Sequence, residues 1–209
     1  MSEDKSLEEV KREAARKAKA AAAAKAKAAA KAKAVHESES NHQPQQEEKP
    51  SPNQSFLDKY VTVIQEHLNE YAIHDYYINR LSKHVPTIVA NHDTYFQVAQ
   101  LLQTHEELAF DYLSDLHGTD FQTHFEIYVH LFSSQHKQSV ALKVRVNRNH
   151  PVVSSLQPVW PGADWPERET FDLLGISFTN HPNLKRIMLS DDWVGHPLRK
   201  DYEADDVEV

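Results

Sequence analysis

The chain has 209 residues and no cysteine, so disulfides, thiolate nucleophiles and Cys-ligated iron–sulfur or zinc sites are excluded within it. Its net charge of −8 hides an asymmetry: residues 1–54 carry 11 Lys/Arg against 9 Asp/Glu, and residues 55–209 carry 12 against 22. The second part, at −10, disfavours nucleic acid as a partner, because phosphate binding needs clustered positive charge. No run of 18 apolar residues spans a membrane, and Met1-Ser2-Glu3-Asp4-Lys5 opens no signal peptide, which together predict a soluble, intracellular protein.

Residues 14–34 hold 14 Ala, six Lys and one Arg. Ala and Lys favour helix, and Ser6 with Glu9 matches a capping box, so residues 1–34 read as an Ala/Lys-rich, largely helical extension. It has no apolar stripe beyond Ala. The alternative is a basic arm that touches nucleic acid or an anionic membrane. Residues 35–54, rich in Ser, Gln, Glu and Pro, read as a disordered linker, and the folded domain is expected over 55–209.

Ser55 is expected to cap a helix through Phe56, Tyr60, Ile64 and Leu68. Tyr71–Ile78 is ambiguous, with strand as one option, and Thr87–Ala90 reads as a short buried strand. Residues 91–103 read as a helix with Tyr95, Val98, Ala99 and Leu102 on one face. Phe110–Leu116 begins a strand that Gly118 closes. Phe125, Ile127, Val129 and Leu131, then Val140, Leu142, Val144 and Val146, alternate with more polar neighbours across a 133–139 loop. This period of two predicts an antiparallel hairpin with one buried face. Val152 and Val153 suggest a further short strand. The predicted fold class is α+β, a two-layer domain whose mostly antiparallel sheet is covered by helices, followed by a C-terminal extended strap.

The segment 160–202 is dense in Trp, Pro, Gly and opposed charges. Asp164 is expected to cap a short helix, with Glu167 at the capping-box position and Gly175 as its left-handed end. Arg168 and Asp172, four apart, can pair. Glu167 and Glu169 lie about 200° apart on a helix, which argues against a catalytic carboxylate pair. The 14 histidines show no metal-ligand spacing, and His181 and His196 suit structural hydrogen bonds. Trp160, Trp165 and Trp193 read as core packing or as interface anchors. No nucleophile elbow, P-loop or dinucleotide glycine motif is present.

The run Glu167-Arg168-Glu169-Thr-Phe-Asp172-Leu-Leu-Gly175, continuing through His181-Pro182 to Arg186, resembles the signature of the thirty-kilodalton subunit family of respiratory complex I, the C subunit of NADH-quinone oxidoreductase. Gly195-His-Pro197-Leu198-Arg199-Lys200-Asp201-Tyr202 resembles its second half. Weaker similarity, including the hairpin and an Asp115–Asp120 turn, extends over about residues 56–202. The resemblance implies a peripheral, non-catalytic subunit on the cytoplasmic side of the cell membrane, associated with it only through the complex. It implies no cofactor in this chain, with FMN, iron–sulfur clusters and quinone handled by other subunits. The implied partners are the forty-nine-kilodalton-type D subunit and neighbouring quinone-site subunits. Trp165 and the signature residues above become structural or interface positions, and Arg168, Glu169, Asp172, Arg199, Lys200 and Asp201 are expected to form paired charges. The equivalent subunit of a membrane-bound hydrogenase or ferredoxin-driven complex is the alternative, and a stand-alone binding protein with a nucleic-acid-contacting arm a more distant one.

Overall fold

A computed structural model describes residues 50–203, which belong to one compact unit, Pro50–Val209. The expected helical extension and most of the linker lie outside the described residues. The end of that linker does not: Ser51 is buried and meets His84 Nδ1 at 3.1 Å, so the fold starts before Ser55.

Helix α1 spans Gln54–His67. Ser55 lies inside it rather than capping it. The N-cap position is Asn53, whose side-chain amide donates instead to the His84 carbonyl at 2.8 Å. Leu57, Tyr60, Val61 and Ile64 form its buried stripe, at the three- and four-residue spacing of one helix face. Strands β1 (Ile73–Asn79) and β2 (Val85–Ala90) follow, then α2 (Tyr95–Thr104), which buries Tyr95, Val98, Ala99 and Leu102. Strands β3 (Tyr112–Asp120), β4 (His124–Ser133) and β5 (Gln138–Asn147) complete a five-stranded sheet in the order β1-β2-β5-β4-β3. All neighbours are antiparallel except β2 and β5.

The predicted hairpin is β4–β5, in the register Phe125↔Val146 through Leu131↔Val140. Its eight inward residues are all buried, and they pack with α1 and α2 in one core. Tyr60 meets Phe110 edge-on at 5.3 Å, and the Trp160 indole donates to the Phe110 carbonyl at 2.9 Å. Trp160 is therefore core.

Strand β3 corrects two expectations. Asp115–Asp120 is strand, not turn, and Gly118 lies within it rather than ending it. A bulge between Leu113 and Asp115 shifts the alternation, so Leu113, Leu116, Gly118 and Asp120 all turn toward the buried side. Gly118 is the lane under the last helix: a Cβ there would meet Leu174 Cδ1 and Thr170 Cγ2 at 2.7 Å. That helix, α3, spans Asp164–Leu174. It is flanked by β6 (Val152–Ser154) and β7 (Ser177–Thr179), a parallel pair that forms a small second sheet.

Candidate functional site

Helix α3 and the strap beyond it hold the signature residues. The helix starts at Asp164, with Ala163 at the cap position and no side-chain cap bond. Asp164 is thus a first-turn acid, which suits the positive end of the helix dipole, and Glu167 closes no capping box. Glu167 is instead fully buried. It accepts the Ser155 hydroxyl at 2.5 Å and the Leu156 N–H at 2.6 Å, tying the helix to the segment after β6. No Lys or Arg pairs with it among the described residues. Burial pushes its pKa up to about 7, against the pull of those two donors. His181, its side chain fully buried, brings Nε2 to 3.3 Å from the Asp164 carbonyl and 3.9 Å from the Glu167 carboxylate, and its Nδ1 accepts the Asn183 N–H at 3.1 Å.

Five residues on, Asp172 is equally buried but solved differently. One carboxylate oxygen accepts Arg186 Nη1 at 3.1 Å. The other accepts three consecutive backbone N–H groups, Ile187, Met188 and Leu189, at 2.8–3.0 Å. Such a nest holds an anion. Burial opposes ionisation, but the three amides and Arg186 outweigh it and lower the Asp172 pKa. The expected Arg168–Asp172 pair does not form. Arg168 turns back to Asp164 at 3.6 Å and to the Lys185 carbonyl at 3.3 Å, because Asp172 points beneath the strap.

The strap then caps the helix. A helix end leaves its last carbonyls unpartnered. Here the Asp172 carbonyl accepts His196 Nδ1 at 2.9 Å, the Leu173 carbonyl accepts the Leu198 N–H at 3.0 Å, and the Leu174 carbonyl accepts Arg199 Nε at 2.6 Å. His196 must therefore carry its proton on Nδ1. Arg199 also puts a cation at the negative end of the dipole. Gly175 makes this possible twice over. Its φ of +71° ends the helix, and a Cβ there would meet His196 Nε2 at 2.5 Å and Arg199 Nη2 at 2.8 Å.

A second anchor lies at the edge of the sheet. Asp120, buried on β3, accepts Arg148 and the Gln122 N–H on one oxygen and the Lys200 N–H, at 2.8 Å, on the other. Arg148 reaches on to Asp201 at 2.6 Å. The guanidinium groups of Arg148 and Arg199 lie 5.1 and 5.2 Å from the Phe125 ring centre. Burial again opposes ionisation, and the backbone donors and Arg148 again win, so the Asp120 pKa is lowered.

The expected set of paired charges is accordingly corrected. Among those six residues, Asp172 pairs with Arg186 and Asp201 with Arg148, while Arg168 joins Asp164. Arg199 bonds a carbonyl, Lys200 contributes its backbone N–H, and Glu169 stands partly exposed on α3. Asp120, Arg148, Ser155 and Phe125 were missed, since each lies far in sequence from the segment it holds. Tyr202 donates its N–H to the Arg199 carbonyl at 3.1 Å, and its ring covers Gly195, whose φ is +90°. Arg186 Nη2 reaches the Gly195 carbonyl at 3.3 Å. Pro182 is exposed and Pro197 half-buried. Trp165, Met188, Trp193, Val194 and Leu198 are left exposed by 42–83%. No group of three His, Asp or Glu side chains among the described residues is placed to hold a metal ion.

Residues 88–208 match the family described as the 30 Kd subunit of respiratory-chain NADH dehydrogenase. The chain belongs to that family. The C subunit of the NADH-quinone oxidoreductase of Roseiflexus sp. (strain RS-1) is 46% identical over 115 residues, 54% of this chain and 66% of that one. The subunit of the same name from Moorella thermoacetica is 42% identical over 120 residues, 56% of this chain and 80% of that one. The chain thus spans just under two thirds of the Roseiflexus relative's length. A chain from the structure of the membrane-bound sulfane sulfur reductase, an archaeal respiratory membrane complex, shares the fold at a TM-score of 0.52 and 18% identity, covering 70% of this chain and 85% of that one. Among the described residues no helix is long and apolar enough to cross a membrane.

Proposed function

We propose that this chain is a non-catalytic, peripheral-arm subunit of a proton-translocating NADH-quinone oxidoreductase. It scaffolds the subunits that pass electrons from NADH through flavin and iron–sulfur centres to quinone, and itself holds no cofactor. In this reading it lies on the cytoplasmic side of the membrane, attached through the complex, and its main neighbour is the forty-nine-kilodalton-type D subunit beside the quinone site. Membership of the 30 Kd subunit family supports the assembly. The observation that carries the scaffolding role is the way the strap is fixed. Its anchors are backbone N–H bonds to Asp172, to Asp120 and to the Leu173 carbonyl, joined by polar side-chain bonds from Arg186, His196 and Arg199. That leaves Trp165, Trp193, Val194 and Leu198 facing outward, and large exposed apolar side chains on a rigid support are what a partner buries.

Affinity purification of the full chain from its own membranes tests the proposal. Recovery of the D subunit together with flavin-containing subunits and NADH:quinone activity is expected. Recovery without any flavin-containing input subunits would point to a hydrogenase- or ferredoxin-type assembly, and recovery of neither would overturn the reading.

A further inference from the structure

A cleft of about 660 Å³ lies at the opposite end of β5 from the Asp120–Arg148 anchor. Its position follows from topology. Because β2 and β5 run parallel, with Thr87 level with Ala141, both strands begin at the same end of the sheet. The turns that precede them, 80–84 and 134–137, therefore come together there. Each turn brings a lysine to the cleft, Lys83 and Lys137. The third side is the start of α1, where Asn53 and Phe56 line the cleft and the first turn carries no acid. Among the described residues no carboxylate lines it, within a domain whose net charge is −10.

Three features mark this as more than a gap between turns. Both lysines have left-handed backbones, at φ +51° and +55°, where Gly or Asn is the less strained choice. Neither is in an ion pair among the described residues. Asp111 is within the electrostatic reach of Lys137, but its carboxylate is held by the Ser134 N–H at 2.8 Å and by the Ser134 hydroxyl. The walls are also fixed from behind. Tyr60 donates to Gln138 at 2.6 Å, and the Tyr128 hydroxyl engages His130 Nδ1 at 3.0 Å. Phe56, Val85 and Pro86 supply an apolar side. The volume falls in the range of small-molecule sites, and the lining is mostly polar with one apolar side, which suits a ligand that carries a charge as well as an apolar part.

We propose that this cleft binds an organic anion, a phosphate or carboxylate joined to an apolar body, with Lys83 and Lys137 taking the charge and Phe56, Val85 and Pro86 the body. The site stands apart from the strap and does not depend on the proposed assembly role. The test is isothermal titration of the full chain with n-octyl phosphate and, in parallel, with inorganic phosphate. Octyl phosphate should bind about tenfold or more tightly than inorganic phosphate, because its alkyl chain leaves water. The double variant K83G/K137G should lose octyl phosphate binding about tenfold or more, since both positive charges are gone. Its melting temperature should be unchanged or higher, since glycine relieves both left-handed turns. Equal affinity for the two probes would show that the apolar wall takes no part and would overturn the proposal. So would no binding of either, or undiminished binding by the folded double variant.

Discussion

The sheet and the strap are held by opposite means. In the sheet, β4 and β5 bury eight apolar side chains in register, and their polar neighbours face the other way. In the strap, few side chains are buried, and position is set by polar bonds, many of them to its backbone N–H groups and the rest from Arg186, His196, Arg199 and Asp201. Asp172 takes three consecutive N–H groups, Asp120 takes the Lys200 N–H, and the helix end takes Leu198. The difference is instructive. A segment fixed by apolar side chains must bury them, whereas one fixed by its backbone and a few polar side chains keeps its apolar ones free to meet something else. The strap is the second kind, and its exposed tryptophan, valine and leucine are the consequence.

Breaking the polar anchor should separate the two regions. Asp172→Ala strands Arg186 and three amides, at a cost of about 3–5 kcal/mol. The loss should be local: trypsin should cut after Lys185 or Arg186 while hydrogen exchange of β4 and β5 stays slow. Global unfolding without prior strap release would break the comparison. Glu167 sharpens it through pH. Its folded pKa of about 7 lies above the ordinary 4.5, so the folded state holds the extra proton between those values. The stability this gives is complete below pH 4.5 and is lost as pH rises through 7. Glu167→Gln should remove that slope and leave the variant more stable than wild type at pH 8 by up to ~3 kcal/mol. Melting curves that shift in parallel with pH for both proteins would contradict the assignment. Gly175→Ala imposes a left-handed alanine against His196 and Arg199, and about 1–3 kcal/mol should be lost, read as a lower denaturation midpoint with an unaltered sheet. The smallest effect on folding belongs to the double variant W165A/W193A. It should stay within about 0.5 kcal/mol of wild type in the isolated chain, yet fail to capture the D subunit. Full capture would remove those two residues from the interface.

The sequence by itself determined the layers. Period-two alternation placed the β4–β5 hairpin, three- and four-residue spacing placed α2, and Gly175 marked the end of α3, because local backbone chemistry and burial both act within a few residues. The density of signature residues from Trp160 to Tyr202 also pointed to the family. What only the tertiary structure decided was who holds whom. Asp120 looked like a turn residue until a bulge at Ser114 turned it inward beside Phe125. Arg168 and Asp172 have ideal spacing to pair, yet the nest at Ile187–Leu189 claims the carboxylate. Glu167 had the position of a capping residue and became a buried acid bonded to Ser155. A carboxylate's partners are fixed by which backbone donors the fold brings within hydrogen-bond reach, and apart from Gln122 beside Asp120 those donors come from segments 11 to 80 residues away.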